Sequence, residues 1–127
     1  MDKIGKVFWQ DLTVEDAEQV RDFYSAVVGW TFEKVSLGDY DDYNMLDPED
    51  KEVAAGICHK RGVNKNIPSQ WLNYVMVENM DQSVAACLTR GGKVVDGPKK
   101  TGKYLFALIQ DPAGAYLALM QEAKPSG

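Results

Sequence analysis

An internal repeat of about half the chain is the feature that most constrains its fold. Val14-Glu15-Asp16 and Val77-Glu78-Asn79 start 63 residues apart, and Asp47-Pro48 and Asp111-Pro112 start 64 residues apart. The first motif lies in each case where a predicted strand meets a predicted helix, and the second opens a predicted hairpin turn. A fixed period of this length predicts two copies of one supersecondary unit.

Both halves show the same order of predicted elements: one strand, one helix and three more strands. Apolar residues at helical spacing follow Thr13, which we expect to cap the first helix, and this helix stops at Gly29. The second helix runs from Met80 to Gly91-Gly92, and Gly97-Pro98 is expected to turn the chain after the sixth strand. The predicted strands are Lys6–Leu12, Trp30–Val35, Tyr40–Leu46, Val53–Cys58, Trp71–Val77, Lys93–Val95, Tyr104–Gln110 and Tyr116–Gln121.

These elements predict an α+β fold made of two βαβββ modules in tandem. We expect a single domain over residues 1–127, with one module at 5–58, the other at 69–121 and a polar loop at 59–68 between them. One helix covers only one face of a four-stranded sheet. The two modules are therefore expected to form a curved mixed sheet around a cleft, where a ligand would lie.

The composition argues against several classes of partner. The chain has 14 Lys and Arg and 19 Asp and Glu, a net charge of −5, whereas a nucleic-acid-binding surface needs the opposite excess. No apolar run approaches the roughly 20 residues that span a bilayer. The N-terminus lacks the apolar core of a secretion signal, and Cys58 and Cys87 form no C-x-x-C motif. We expect no nucleic-acid partner, no membrane partner and a cytoplasmic location.

Short motifs in both halves resemble one known group of proteins. In order along the chain they are Val14-Glu15-Asp16, Phe23-Tyr24, Val28-Gly29-Trp30, Trp71-Leu72-Asn73-Tyr74, Gly91-Gly92-Lys93-Val94 and Asp111-Pro112-Ala113-Gly114. They resemble the vicinal oxygen chelate superfamily, which includes glyoxalase I, bleomycin resistance proteins, fosfomycin resistance enzymes and extradiol dioxygenases. The motifs mark turns, caps and core positions, so they specify the fold more closely than the reaction.

The resemblance implies four positions for the ligands of a divalent metal, one in the first and one in the last strand of each module. Carried over to this chain, these positions are Trp9, Ala54, Leu72 and Ala118. Such metals need imidazole or carboxylate donors, which none of these four side chains provides. A small shift of register would bring in the neighbours Gln10 or Asp11 in the first strand but would not complete a site. We therefore expect neither a metal nor another cofactor.

The same four positions predict which side chains line the cleft, because alternate residues of a strand share a face. Pairing across the hairpin turns is expected to place Tyr43 opposite Ala54 and Ala107 opposite Ala118. The residues predicted to bind a ligand are Trp9, Asp11, Tyr43, Ala54, Leu72, Tyr74, Ala107 and Ala118. They describe an apolar, aromatic cleft that suits a planar or largely apolar small molecule. The alternative is a closed core that these side chains fill themselves.

Few side chains are candidates for acid, base or nucleophile. Asp11 is the one candidate catalytic group of the cleft, and a solvated or backbone-bonded carboxylate is the alternative. His59 has no partner in the sequence that would orient it, so we expect it at the surface. We expect Cys58 and Cys87 to act as small buried apolar residues.

Three functions follow from these expectations. The first is metal-independent binding of a small apolar or aromatic molecule, as in bleomycin resistance proteins. The second is a metal-dependent lyase, isomerase or dioxygenase of the same superfamily. If the protein is an enzyme, we expect it to be lactoylglutathione lyase-like or dioxygenase-like. The third is a dimeric interaction module without a ligand. The resemblance also implies a homodimer.

Overall fold

The structure is a computed structural model that describes residues 3–122, apart from the side chain of Val63. The chain divides into two compact units. The first unit comprises Gln10–Trp71, and the second unit comprises the described residues before Gln10 and after Trp71. The predicted module bounds, 5–58 and 69–121, stay a prediction, because compactness and internal repetition are different criteria.

The first unit holds a four-stranded mixed sheet with one helix. Strand β1 (Val7–Val14) is followed by helix α1 (Ala17–Val28) and by strands β2 (Thr31–Ser36), β3 (Asp41–Leu46) and β4 (Val53–His59). The first three residues of β1 belong to the second unit. The strand order is β2-β3-β4-β1, antiparallel except that β1 pairs with β4 in parallel. A short 3-10 helix, Gly62–Asn64, lies in the loop that follows.

The second unit repeats this topology. Strand β5 (Trp71–Met76) begins with the last residue of the first unit; α2 (Met80–Thr89), β6 (Lys93–Thr101), β7 (Tyr104–Gln110) and β8 (Tyr116–Glu122) follow. Its order is β5-β8-β7-β6, again with one parallel pair, β5 with β8. The α+β class and the tandem βαβββ modules predicted from the repeat are confirmed.

In each unit the helix covers one face of the sheet. Helix α1 buries Ala17 against an apolar cluster of β3 and β4 that contains Tyr43, Met45 and Ile57. Helix α2 buries Met80 against Ala107 and Leu119. We call these the helix-covered faces and the opposite ones the helix-free faces. Among residues 3–122, neither helix has the length and apolar character needed to cross a membrane.

The first helix begins three residues later than a Thr13 cap would require. Asp16 is the N-cap, and its carboxylate accepts a hydrogen bond from the backbone N–H of Gln19 at 3.1 Å. Thr13 instead continues strand β1, where it is buried. The predicted stop is confirmed, because Gly29 adopts the left-handed conformation, with φ of 88°, that ends many helices.

Strand β6 does not end before Gly97-Pro98 as expected. The strand continues to Thr101, and the chain reverses between Thr101 and Tyr104. The pairing of β6 with β7 changes register twice, between Val94 and Asp96 and between Asp96 and Lys99. These bulges accommodate the Gly-Pro pair inside the strand. Glycine and proline are tolerated at a bulge of an edge strand, and β6 pairs with β7 on both sides of this bulge. The Gly-Pro pair therefore does not form a turn.

Gly97 has a conformation and a close approach that together require glycine. Its φ is +87°, and a Cβ atom there would lie 2.5 Å from the carbonyl oxygen of Phe106. Gly102, in the following turn, also has a positive φ, +59°, but a Cβ atom would meet nothing within 4 Å. A side chain at either position would therefore strain the backbone, but only at Gly97 would it also clash with a neighbouring strand.

We predict that Gly97→Ala lowers the free energy of unfolding by about 1–3 kcal/mol more than Gly102→Ala, since only the former pushes a methyl group into backbone. Urea denaturation followed by circular dichroism measures both values. Equal losses for the two variants would show that β6 can move away from β7 at no cost.

Candidate functional site

Strand pairing decides which residues of the first unit lie on its helix-free face. Tyr43 pairs with Ile57, so both lie under α1, and Asn44 pairs with Gly56 on the opposite face. On β1, Asp11 pairs with Gly56 and therefore also lies on the helix-free face. In the second unit the corresponding pairs are Tyr74 with Ala118 and Leu108 with Ala118.

These pairings correct one position of the expected metal site. Asp11 and Tyr74 are equivalent in the two modules, so the partner of Asp11, Gly56, is the equivalent of Ala118. The resemblance implied Ala54 instead, because the turn Asp47–Glu52 is one residue longer than Asp111–Ala115 and a bulge follows it. The corrected set is Trp9, Gly56, Leu72 and Ala118.

The donor chemistry of these four positions does not fit a divalent metal. An indole, a hydrogen atom, an isobutyl group and a methyl group replace the imidazole or carboxylate donors that such a site needs. Within residues 3–122, no group of three or more His, Cys, Asp or Glu side chains lies close enough to hold a metal ion. No step of a reaction can therefore be assigned to a metal at these positions.

The helix-free face of the first unit carries an acidic cluster around a thiol. Asp11 and Asp42 are both buried, and both carboxylates interact electrostatically with the Cys58 thiol. Burial, and then the negative charges of Asp11 and Asp42, raise the pKa of the Cys58 thiol well above its usual range. A thiol held in its neutral form is a poor nucleophile, so Cys58 is not a candidate for covalent catalysis.

The helix-free face of the second unit is apolar and aromatic. The rings of Tyr74 and Phe106 lie 6.1 Å apart, centroid to centroid. Tyr74 is 6% exposed and Phe106 4%, while Leu72, Leu108 and Ala118 are almost completely buried. Lys99, which forms an ion pair with Asp96 at 2.7 Å, lies 5.7 Å from the centroid of the Phe106 ring.

Two of the predicted ligand-binding residues lie on the helix-covered faces. Tyr43 packs with Ala17 of α1, and Ala107 packs with Met80 of α2, so neither lies on the helix-free face of its unit. The expected pairs were wrong because Tyr43 pairs with Ile57, and Ala107 with Leu119. The predicted register was wrong by three residues for Tyr43 and by one for Ala107, and a shift by an odd number of residues exchanges the two faces of a strand.

The other predicted residues fall into three groups. Leu72, Tyr74 and Ala118 share the helix-free face of the second unit, and Asp11 lies on that of the first. Trp9 is half-buried near the start of β1. Ala54 is exposed at the bulge of β4. Five further residues of these faces were not predicted, although the correct strand pairing would have identified them: Asp42, Asn44, Gly56, Phe106 and Leu108.

His59 is not a surface residue, contrary to expectation. It is 7% exposed and its Nε2 atom lies 2.8 Å from a carboxylate oxygen of Glu18, while its Nδ1 atom lies 3.4 Å from Asp42. Tyr40 and Tyr43 contact its ring. The partners come from α1 and β3, 41 and 17 residues away in sequence, which is why the sequence did not reveal them.

Comparison with known proteins establishes the family. The sequence profile of the Glyoxalase/Bleomycin resistance protein/Dioxygenase superfamily matches residues 3–119, and the chain belongs to this superfamily. It is 28% identical over 126 residues to "Putative glyoxylase CFP32" of Mycobacterium tuberculosis and 27% identical over 135 residues to "Anthracycline biosynthesis protein DnrV" of Streptomyces peucetius. Each alignment covers 97% of this chain but 46% and 49% of those proteins, so the chain spans about half their length.

Solved structures support the same fold. A superfamily member from Vibrio splendidus 12B01 aligns with a TM-score of 0.57 at 14% identity, covering 90% of this chain and 97% of the other. Methylmalonyl-CoA epimerase from Mycobacterium tuberculosis aligns with a TM-score of 0.52 at 14% identity, covering 98% and 94%. At such identities the likeness concerns the fold alone.

The contact between His59 and Glu18 predicts a dependence of stability on pH. The hydrogen bond from His59 is the main reason why the pKa of the Glu18 carboxyl lies below its ordinary value of about 4.5. A carboxyl with a lowered pKa in the folded state stabilises the fold above its unfolded pKa, and this contribution disappears as the pH falls through the folded pKa.

We therefore expect the stability difference between wild type and Glu18→Gln to shrink as the pH falls from about 5.5 to about 3. Urea denaturation at each pH measures it. The control is the same substitution in a His59→Asn background, where the hydrogen-bond partner is missing and the trend should be much weaker. A difference that stays constant over this range would contradict the role of the Glu18 carboxylate.

Proposed function

We propose that this protein binds a small apolar or aromatic molecule without a metal or another cofactor. The observation that carries the proposal is the set of side chains at Trp9, Gly56, Leu72 and Ala118. The superfamily scaffold is retained, whereas the donor atoms that would hold a metal are replaced by groups that favour apolar contact.

The chemistry of the second unit supports this ligand class. The rings of Tyr74 and Phe106 and the aliphatic side chain of Leu108 give the helix-free face an apolar character, so a molecule bound against them would exchange water for apolar groups. Only a molecule with little polar surface gains free energy from such burial. The phenol of Tyr74 supplies one polar group that could orient a ligand, which is a common arrangement in small-molecule sites.

The name of one relative points to the same chemistry. DnrV is described as an anthracycline biosynthesis protein, and anthracyclines are built on a polycyclic aromatic skeleton. The alignment covers about half of DnrV. The relation therefore supports a class of ligand to test first, a planar fused-ring compound, and not a reaction.

The proposal is tested by thermal denaturation of the purified protein with 1,4-dihydroxyanthraquinone and other neutral fused-ring compounds. A ligand that binds only the folded state raises Tm as its concentration increases. Chelation by EDTA, or addition of nickel, zinc, manganese or iron salts, should leave Tm unchanged. Stoichiometric metal in the purified protein, or a loss of stability with EDTA, would instead support the metal-dependent alternative.

Two matched variants locate the binding. Tyr74→Phe keeps the ring and removes the hydroxyl on the helix-free face, and we expect it to weaken the binding of 1,4-dihydroxyanthraquinone roughly 2- to 10-fold. Tyr43→Phe makes the same change on the helix-covered face and should leave the affinity unchanged. If no compound stabilises the wild type, the helix-free face is a closed core and the proposal fails.

A homodimer is also proposed, because α1 exposes apolar side chains in its last two turns. Phe23 and Val27, one helical turn apart, are about 60% exposed, and Val28 is about half exposed. We expect light scattering to give twice the mass of the chain and Val27→Asp to shift the protein toward the monomer. Ala85→Asp, which adds the same charge at an exposed site on α2, is the control; a wild-type monomer would exclude this interface.

The free thiols Cys58 and Cys87 support a proposed cytoplasmic location, because reducing compartments favour unpaired cysteines.

A further inference from the structure

A small groove in the first unit lies on the other side of its sheet from Asp11 and Gly56. Gln10, Trp30, Ala54, Ala55 and Trp71 line it, and its volume is about 200 Å³. Gln10 and Ala55 alternate with Asp11 and Gly56 along their strands, so they emerge from the helix-covered face. We call this cavity the tryptophan groove.

Two indole rings form the walls of the tryptophan groove. The centroids of Trp30 and Trp71 are 6.0 Å apart and the ring planes meet at 71°, so the two rings form a corner. A flat ring that stacks on one indole presents its edge to the other, and both arrangements are favourable for aromatic pairs. The side chains of Ala54 and Ala55 are small enough to leave this corner open.

The position of Trp71 is fixed before any ligand arrives. Its indole Nε1–H donates a hydrogen bond of 3.0 Å to the hydroxyl of Tyr24 on α1, and the two rings meet edge to face at 5.3 Å. Trp71 is nevertheless 37% exposed, an unusual degree of exposure for a side chain so well held. A prepositioned, exposed indole loses little conformational entropy on binding.

We infer that the tryptophan groove binds a neutral, planar ring system of about two fused rings. Its volume lies below the range of about 300–1,000 Å³ that is typical of sites for drug-sized molecules, which limits the ligand to a small one. None of its five lining side chains is ionisable, so a charged ligand would lose hydration there without an ion pair in return. This site is separate from the face proposed above for larger fused-ring compounds.

The experiment uses the full chain labelled with ¹⁵N and the probe 2-naphthol. The three tryptophan side chains give separate Nε1–H signals, which Trp→Phe variants at positions 9, 30 and 71 assign. We expect 2-naphthol to shift the Trp30 and Trp71 signals with a common saturation curve, and to leave the Trp9 signal much less affected. Decahydro-2-naphthol, which has the same skeleton without flat rings, should bind roughly tenfold more weakly.

Two variants test the groove itself. Ala54→Leu fills the corner and should abolish saturation, whereas Ala26→Leu, the same change at an exposed site on α1, should not. Tyr24→Phe removes the hydrogen bond to Trp71 while keeping the ring, and should weaken binding a few-fold. This variant keeps the test valid if Ala54→Leu fails to fold.

Several results would overturn the inference. They are the absence of a saturable shift, equal shifts at all three tryptophans, equal binding of the flat and puckered probes, or full binding by Ala54→Leu. The outcome is independent of the function proposed for the helix-free face, because Tyr74→Phe leaves the tryptophan groove intact. Loss of naphthol binding in Tyr74→Phe would show that both probes use one site.

Discussion

The structure depends on a geometric constraint: each four-stranded sheet has two faces and only one helix to cover them. Helices α1 and α2 bury Ala17 and Met80 against the faces that carry Tyr43 and Ala107. Strand alternation then determines the chemistry of the remaining face, because every residue that packs under the helix sends its neighbours to the other side. The register of each strand pair therefore selects both the core and the candidate site.

The two helix-free faces have diverged in chemistry while keeping the same topology. Asp11, Asp42 and Asn44 of the first unit occupy the positions of Tyr74, Phe106 and Leu108 in the second. One face thus carries buried carboxylates around a thiol with a raised pKa, and the other carries rings and aliphatic groups. The same topology therefore accommodates either polar or apolar side chains on the helix-free face.

The sequence was sufficient to predict the fold because the relevant signals are local or periodic. The repeat, the amphipathic helices and the stop at Gly29 each depend on a few adjacent residues, and every strand except β6 fell close to its predicted bounds. The site was harder, because its residues depend on pairing across turns. One extra residue in the turn Asp47–Glu52 and a bulge at Met45/Leu46 were enough to misplace Ala54.

The partners of His59 and Trp71 were also beyond prediction from sequence. Each is held by a side chain of α1, Glu18 or Tyr24, about 40 or more residues distant along the chain. Spacing rules describe neighbours on one element and carry no information about such contacts.

Strand β1 shows how one element can serve two different surfaces. Gln10 lies beside the tryptophan groove on the helix-covered side, and Asp11 lies in the acidic cluster on the other. A substitution that shifted the pairing of β1 with β4 by one residue would exchange the two, placing a carboxylate beside the indoles and an amide beside Cys58. The parallel pairing of Leu12 with Ile57 resists this shift, because Ile57 is completely buried under α1. The same apolar contact that stabilises the core thus keeps the two candidate binding surfaces chemically distinct.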